Sequence, residues 1–442
     1  MEKTTRVGIL TLGCKVNQYE SEAIAEALTD KGFSVASHNE ICDAYIINTC
    51  TVTAESDRKA RQMIRRMITQ NPHAYILVTG CYSQVSPEEV AAIEGVDYVC
   101  GSSNKMTVVG TLCALVELGI KNDKAEICVP DLDQSGFEQM LIRRFDRTRA
   151  YVKIEDGCES KCAYCTIPAS RGPIRSKPFN EVIEEVKSLT ENGVREVVLT
   201  GIETGSYGRD LPQKENFASL LAAIDKIEGI GRVRTGSLDP TVIKPEFAAT
   251  IASLESLCPH FHLSLQSGSS RILALMKRKY NADQAMACIE KLREAIPNVK
   301  LTTDVIVGFP NETEEDFKAT CDFVRKAEFL MIHVFPYSKR KGTVAAEMKG
   351  QIPESVKHER VRILTDISRE IRAKILDKKV SEGEPVEVLF ETLRDGYAHG
   401  HTSDFIEVKV KTSKKLHGLF RSLKLISHDG EVCEGIFSVD QD

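Results

Sequence analysis

The chain has 442 residues, 42% hydrophobic and 28% charged, with a formal net charge of -6. That length calls for two or three domains, and that balance excludes a largely disordered chain. No run approaches the ~18 apolar residues of a membrane span, and the start MEKTTRVGIL lacks the apolar core of a signal peptide. A cytoplasmic protein with no membrane partner is therefore expected. There the 14 cysteines read as metal ligands or buried thiols, because the cytosol keeps thiols reduced. The acidic total gives no support to bulk electrostatic binding of nucleic acid, although local basic patches remain open.

Residues 7–130 alternate short apolar runs with helical patterns. VGILTLGC precedes a helix from about Gln18, AYIINTC one from about Ala54, and AYILVTGC a short one near Glu88. The alternation predicts an open parallel α/β sheet. Cys14, Cys50 and Cys81 each stand at the carboxyl end of a predicted strand, the rim where such sheets bind ligands. Spacing alone does not separate cluster ligands from core thiols here. Cys42, Cys100, Cys113 and Cys128 lack this setting and read as small core residues.

From about Cys128 to Phe145 the periodicity is lost around PDLDQSG, which reads as a linker or excursion. A second series then begins with AYVKIEDGC. EVVLTGIE, VRTGSL, HFHLSLQSG, VKLTTDVIVGFP and FLMIHVFPYS read as strands, separated by helices such as 180–192, 269–278 and 312–327. This predicts a parallel (βα) barrel, partly or fully closed. After a charged helix near 353–379, PVEVLFE, FIEVKVK and GEVCEGIFSV predict a small all-β barrel.

Cys158, Cys162 and Cys165 form C-x3-C-x2-C directly after a predicted strand. Three thiolates on so short a loop can hold one iron-sulfur cube and leave one iron free for a small molecule. The competing structural zinc site wants four ligands, and this loop has no histidine. With Tyr164 before the last cysteine, the loop resembles the signature of the radical S-adenosylmethionine (SAM) superfamily. That resemblance implies a [4Fe-4S] cluster whose open iron binds SAM, and reductive cleavage to a 5'-deoxyadenosyl radical. It assigns Tyr164 and Glu203, the latter in Thr200-Gly201-Ile202-Glu203, to cofactor binding, Glu203 receiving the SAM amino group.

TLGCKVNQYES (11–21), NTCTV (48–52) and TGCY (79–82) resemble the N-terminal domain of the methylthiotransferases. LTGIETGSYG, HLSLQSGSSRILALMKRKY, TTDVIVGFPNET and FPYSKRKGT extend the resemblance over nearly the whole chain. It implies an N-terminal domain over 3–125, a radical SAM core over 144–374 and a TRAM RNA-binding barrel over 377–440. It further implies that Cys14, Cys50 and Cys81 hold a second [4Fe-4S] cluster that carries sulfur. TLGCKVNQYES looks most like the tRNA N6-threonylcarbamoyladenosine subfamily, rather than the isopentenyladenosine enzymes or those acting on a ribosomal-protein aspartate. Arg340-Lys341-Gly342-Thr343 departs from relatives, which commonly have proline between the arginine and the glycine.

The implied partners are a tRNA anticodon stem-loop, an electron donor such as flavodoxin or ferredoxin, and a sulfur source. Arg58-Lys59-Arg61-Arg65-Arg66, Arg143-Arg144-Arg147-Arg149, Lys277-Arg278-Lys279 and Lys339-Arg340-Lys341 are candidate phosphate contacts or solvated faces. Arg143–Arg149 and Lys339–Lys341 flank the predicted barrel and are the better candidates. A non-catalytic iron-sulfur RNA-binding protein and a single-cluster radical SAM enzyme are the other readings.

Overall fold

The computed structural model describes residues 4–143 and 148–438. The first unit runs β1 (Arg6–Thr11), α1 (Lys15–Asp30), β2 (Ser34–Ser37), β3 (Ala44–Thr49), α2 (Ala54–Gln70), β4 (Tyr75–Gly80), α3 (Cys81–Val85), α4 (Pro87–Ala91), β5 (Tyr98–Cys100), α5 (Thr107–Leu118) and β6 (Glu126–Cys128). Its strands form a six-stranded parallel sheet in the order β2-β1-β3-β4-β5-β6. Strand residues alternate between two faces, and both are covered. Tyr45, Ile47, Ile76 and Val78 pack under Ala60, Ile64 and Met67 of α2. Ala44, Ile46 and Leu77 pack with Ile24 of α1 and Val108 and Leu112 of α5. The chain leaves β1 for β2 and returns to β3 on the other side, so strand order reverses between β1 and β3. In open sheets that switch point is where a ligand crevice forms.

The second unit comprises β7 (Arg149–Lys153), β8 (Glu155–Asp156), α6 (Ile167–Arg171), β9 (Arg175–Ser176), α7 (Phe179–Glu191), β10 (Glu196–Thr200), α8 (Phe217–Ile224), β11 (Arg232–Thr235), β12 (Ser237–Leu238), α9 (Pro245–Ile251), β13 (His260–Gln266), α10 (Ser270–Leu275), α11 (Ala282–Ala295), β14 (Lys300–Val307), α12 (Glu314–Ala327), β15 (Met331–Pro336), α13 (Val344–Glu347) and α14 (Glu354–Glu382). Parallel sheets β11-β10-β7 and β12-β13-β14-β15 follow one another around a partial barrel, and among the described residues no pairing joins β7 to β15. Helices start where their caps dictate. Asn281 with Gln284, and Thr313 with Asp316, form reciprocal capping boxes for α11 and α12.

Alternation sorts the barrel residues. Val152, Val197, Leu199, Val233, Phe261, Leu263, Leu301 and Val305 join one core with the surrounding helices. The opposite positions, Arg149, Glu196, Arg234, His260, His262, Asp304 and His333, are polar and face the lumen. Helix α1 lies against β7 on the unpaired side, where Tyr19 donates to the Met140 carbonyl (2.8 Å) and to Glu185 (2.9 Å).

The third unit is a closed barrel in the order β16-β17-β18-β20-β19, built from β16 (Val386–Arg394), β17 (Tyr397–Thr402), β18 (Glu407–Lys411), β19 (Phe420–His428) and β20 (Cys433–Phe437). It caps the amino ends of the strands of the second unit. The Arg149 Nη2 donates to Glu391 (2.7 Å), and Arg232 donates to the His401 and Glu387 carbonyls (3.0 and 2.9 Å). Phe405 stacks on His260 with centroids 4.5 Å apart and lies under Arg234.

Four expectations change. The stretch after Cys128 is not a free linker, because Met140 and Ile142 are buried in the main core. VRTGSL breaks at Gly236 into β11 and β12. Of the four cysteines read as core, Cys42 and Cys100 are buried, but Cys113 is half-buried and Cys128 is exposed on edge strand β6. Lastly, α1 begins at Lys15 with Cys14 as its N-cap, earlier than the pattern placed it.

Candidate functional site

Cys14, Cys50 and Cys81 follow β1, β3 and β4, which are adjacent strands at the switch point. Two glycines let them approach. Gly13 has φ +104°, and a Cβ there would meet the Cys50 sulfur at 3.0 Å. Gly80 has φ +105°, and its Cβ would meet the Thr49 oxygen at 2.4 Å. The thiols lie close enough that Cys81 raises the pKa of Cys14 and that Cys81 and Cys14 raise that of Cys50. Burial pushes Cys50 up to about 11, so without a metal it is a neutral thiol. Cys14 is solvent-accessible yet ringed by protein, as expected of a sulfur that faces an internal recess.

The pattern C-x2-N-x2-E-S in α1 turns Asn17, Glu20 and Ser21 toward the same buried side. Asn17 donates to the Leu12 and Thr49 carbonyls (2.7 and 3.0 Å), and Asn48 donates to the Asn17 carbonyl (3.0 Å). Glu20 accepts from Lys105, from Lys153 (2.7 Å) and from Arg171 (2.7 Å). Burial opposes the Glu20 charge, but Arg171, Lys105 and Lys153 hold its carboxyl well below the usual range. Arg171 also pairs with Asp156 (3.0 Å) and donates from Nε to the Cys81 sulfur at 3.1 Å. Lys105, Lys153 and Arg171 outnumber Glu20 and Asp156, so cationic surplus lies beside the sulfurs. That suits three thiolates around a cluster.

Cys158, Cys162 and Cys165 lie on the loop between β8 and α6, at the carboxyl rim of the partial barrel. The Ser160 and Ile167 amides point at the Cys158 and Cys165 sulfurs, both at 3.4 Å. Burial pushes Cys165 up to about 12. Arg278 donates to the Cys162 sulfur (3.3 Å), to Asp239 (2.6 Å) and to the Ser264 carbonyl (3.0 Å). Helix α6 begins two residues after Cys165 and ends at Arg171, whose Nε meets Cys81, so this one short helix links the two sets of sulfurs.

Glu203 follows β10 on the same rim. Its Oε2 accepts from Ser206, and its amide donates to Glu155 (2.9 Å). Oε1 is buried without a hydrogen-bond partner, and burial raises the carboxyl. An orphaned carboxylate oxygen beside the loop fits an incoming ammonium such as the SAM amino group. Tyr164 is half-buried against Ala163, Ile272, Met276 and Tyr337.

Below the rim the lumen stays polar. Thr302 bridges His260 (3.1 Å) and His262 (3.0 Å), and His262 meets Asp304 at 3.3 Å. Lys15, next to Cys14, lies near Arg149, Arg234 and His333. Desolvation, then Arg149 and Arg234, lower it to about 8.

The basic groups fare unevenly. Arg340 is buried, paired with Asp57 (2.7 Å) and donating to Thr51 (2.8 Å), so it joins the first unit to the second and is not free for phosphate. Arg278 serves Cys162, and Arg149 serves Glu391. Arg143, Lys339 and Lys341 are exposed, as are Arg58, Lys59, Arg65 and Arg66 on α2. Arg144 and Arg147 lie outside the described residues. Sequence reasoning missed Arg171 altogether. Its one signal is its place at the end of the first helix after the cysteine loop.

A model described as Radical SAM superfamily matches residues 152–324, and one described as Uncharacterized protein family UPF0004 matches residues 6–101. The chain is 39% identical over 440 residues to "Threonylcarbamoyladenosine tRNA methylthiotransferase MtaB" of Bacillus subtilis (strain 168), covering 98% of this chain and 96% of that one. It is 36% identical to the protein of that name from Aquifex aeolicus (strain VF5), covering 95% of this chain and 100% of the relative. It is 35% identical to the Aquifex "tRNA-2-methylthio-N(6)-dimethylallyladenosine synthase", covering 97% and 98%. Among solved structures, the radical S-adenosylmethionine methyltransferase TsrM from Kitasatospora setae shares the fold with TM-score 0.59 at 15% identity, over 78% of this chain and 77% of that one. Together with a radical SAM domain at its centre, likeness of this extent shows that the chain belongs to the methylthiotransferase family of radical SAM enzymes.

Proposed function

We propose that this chain methylthiolates tRNA at C2 of N6-threonylcarbamoyladenosine beside the anticodon, giving 2-methylthio-N6-threonylcarbamoyladenosine. The observation that carries this reading is its 39% identity, along nearly all of both chains, to a relative named for that modification. On this reading residues 3–125 carry the auxiliary site, 144–374 the radical SAM core and 377–440 an RNA-binding TRAM barrel. Cys158, Cys162 and Cys165 hold one [4Fe-4S] cluster, and Cys14, Cys50 and Cys81 the other. When bound, SAM and the clusters supply the one-electron chemistry and the sulfur that an aromatic C2–H bond requires.

The protein's own groups position and insulate. Glu203 takes the SAM amino group on its vacant oxygen, and Tyr164 lies beside the cofactor. Arg278 and Arg171 each donate to one sulfur, which tunes and orients that ligand. An RNA loop suits such a site because its bases can be splayed into a pocket. The partners are the anticodon stem-loop, a flavodoxin- or ferredoxin-type donor and a sulfur source, in the cytoplasm.

Mass spectrometry of tRNA nucleosides from a deletion strain tests the reading. Unmethylthiolated threonylcarbamoyladenosine should accumulate and disappear on complementation. Loss confined to the dimethylallyl nucleoside, or to a ribosomal protein, would reassign the substrate. Holoenzyme that binds iron but never forms 5'-deoxyadenosine would be a non-catalytic binding protein. Removing residues from 377 onward should weaken tRNA binding in a filter assay while SAM cleavage persists.

A further inference from the structure

The two substituents that relatives' names place on N6 of adenosine differ sharply in chemistry. Threonylcarbamoyl ends in a carboxylate and a hydroxyl, whereas dimethylallyl is a small hydrocarbon. C2 and N6 flank N1 on one edge of the ring. A base that offers C2 to sulfur held beside Cys14 therefore brings its N6 substituent close to Cys14 as well.

The residue after Cys14 is Lys15, the first residue of α1. It makes no hydrogen bond or ion pair with any described residue, although it lies near Arg149, Arg234, His260 and His333 inside the lumen. Those two arginines are already engaged: Arg234 donates to Glu196 (2.9 Å) and Arg149 to Glu391 (2.7 Å). His333 is exposed to the lumen from β15 and lies with His262 and Asp304, their nearest polar atoms within 4.8 Å of one another. Lys15 is exposed to the lumen, and Glu196, the carboxylate that acts on it, already accepts from Arg234. An ammonium placed so among cations is costly, and an incoming carboxylate would relieve that cost. A hydrocarbon tail would leave it unrelieved.

We infer that Lys15 is a specificity-determining residue that pairs with the carboxylate of the threonyl group, with His333 on the same wall of the subsite. The inference rests on the substrate reading above and deepens it. It divides carboxylate-bearing from hydrocarbon-bearing adenosines by one ion pair in a polar lumen.

The test uses holoenzyme with both clusters and three synthetic anticodon stem-loops. They carry threonylcarbamoyladenosine, its threonyl methyl ester, and dimethylallyladenosine. Esterification should raise KM about ten- to hundredfold, the range of a lost charge-assisted hydrogen bond, with kcat changed much less. Lys15→Met should raise KM for the acid toward that of the ester, and Lys15→Arg should recover part of the preference. Equal KM for acid and ester on the wild-type enzyme overturns the inference, as does a Lys15→Met enzyme that keeps the full preference. Should Lys15→Met fail to retain iron, the wild-type comparison and His333→Ala, expected to raise KM for the acid, still decide. An enzyme that turns over only the dimethylallyl stem-loop overturns the substrate reading itself, whereas equal use of acid and ester leaves that reading standing and removes Lys15 alone.

Discussion

The two cysteine triads reach similar ends by opposite routes. Cys158, Cys162 and Cys165 are neighbours on one loop, and backbone amides of that loop point at two of their sulfurs. Cys14, Cys50 and Cys81 are scattered over 68 positions and meet only because β1, β3 and β4 are adjacent strands. A contiguous loop can be shaped by its own turn. A dispersed triad depends on the whole sheet and on Arg171, which reaches Cys81 from the other unit.

The comparison can be broken most completely at the loop. Cys158→Ala should abolish 5'-deoxyadenosine formation and methylthiolation together, with iron falling by about half; product from this variant would remove the loop from the chemistry. Replacing Cys14, Cys50 and Cys81 with alanine should also cost about half the iron and all methylthiolation, yet leave SAM cleavage detectable by chromatography. Unchanged iron there would mean core thiols and a single cluster.

Arg171→Met sharpens the dependence on a distant unit. It leaves Glu20 and Asp156 short of a buried cation, a loss of ~3–5 kcal/mol, visible as a lower unfolding midpoint; an unshifted midpoint would count against the shared network. Glu203→Gln should weaken SAM by about tenfold, ~1.4 kcal/mol, in equilibrium binding, without loss of iron.

Far from both triads, Glu391→Gln removes the Arg149 pair at the barrel floor and should cost ~1 kcal/mol. Burial opposes the Glu391 charge, but His401 and Arg149 hold its carboxyl down to about 2 from 4.5. The folded value is depressed, so this stabilisation is present above about 4.5 and is lost as pH falls toward about 2. Denaturation of the variant should show a correspondingly shallower decline in acid.

The loop triad was legible because three cysteines within eight residues constrain one another locally. The other triad was legible only as strand-end cysteines, and the switch point that unites them is a property of strand order. Arg171 and Arg278 were not legible as sulfur partners, since an arginine in a polar stretch carries no local mark of the sulfur it will meet. Arg340 misled for a related reason: a Lys-Arg-Lys run beside the barrel reads as a phosphate contact or a solvated face, but one member turns inward to Asp57. The open seam between β7 and β15 is equally silent, because hydrophobic period reports each strand and not whether the first meets the last. Met140 and Ile142 escaped notice as two apolar residues in an otherwise irregular stretch.

The buried set of Glu20, Asp156, Lys105, Lys153 and Arg171 also orders biogenesis. While the chain emerges from the ribosome, Glu20 has only Lys105 to answer it until residues 153–171 have been made. The first unit thus completes its ionic interior only once the opening stretch of the second has been synthesised. On the two-cluster reading, iron loading at Cys81, whose sulfur meets Arg171, would follow the synthesis of residues 153–171.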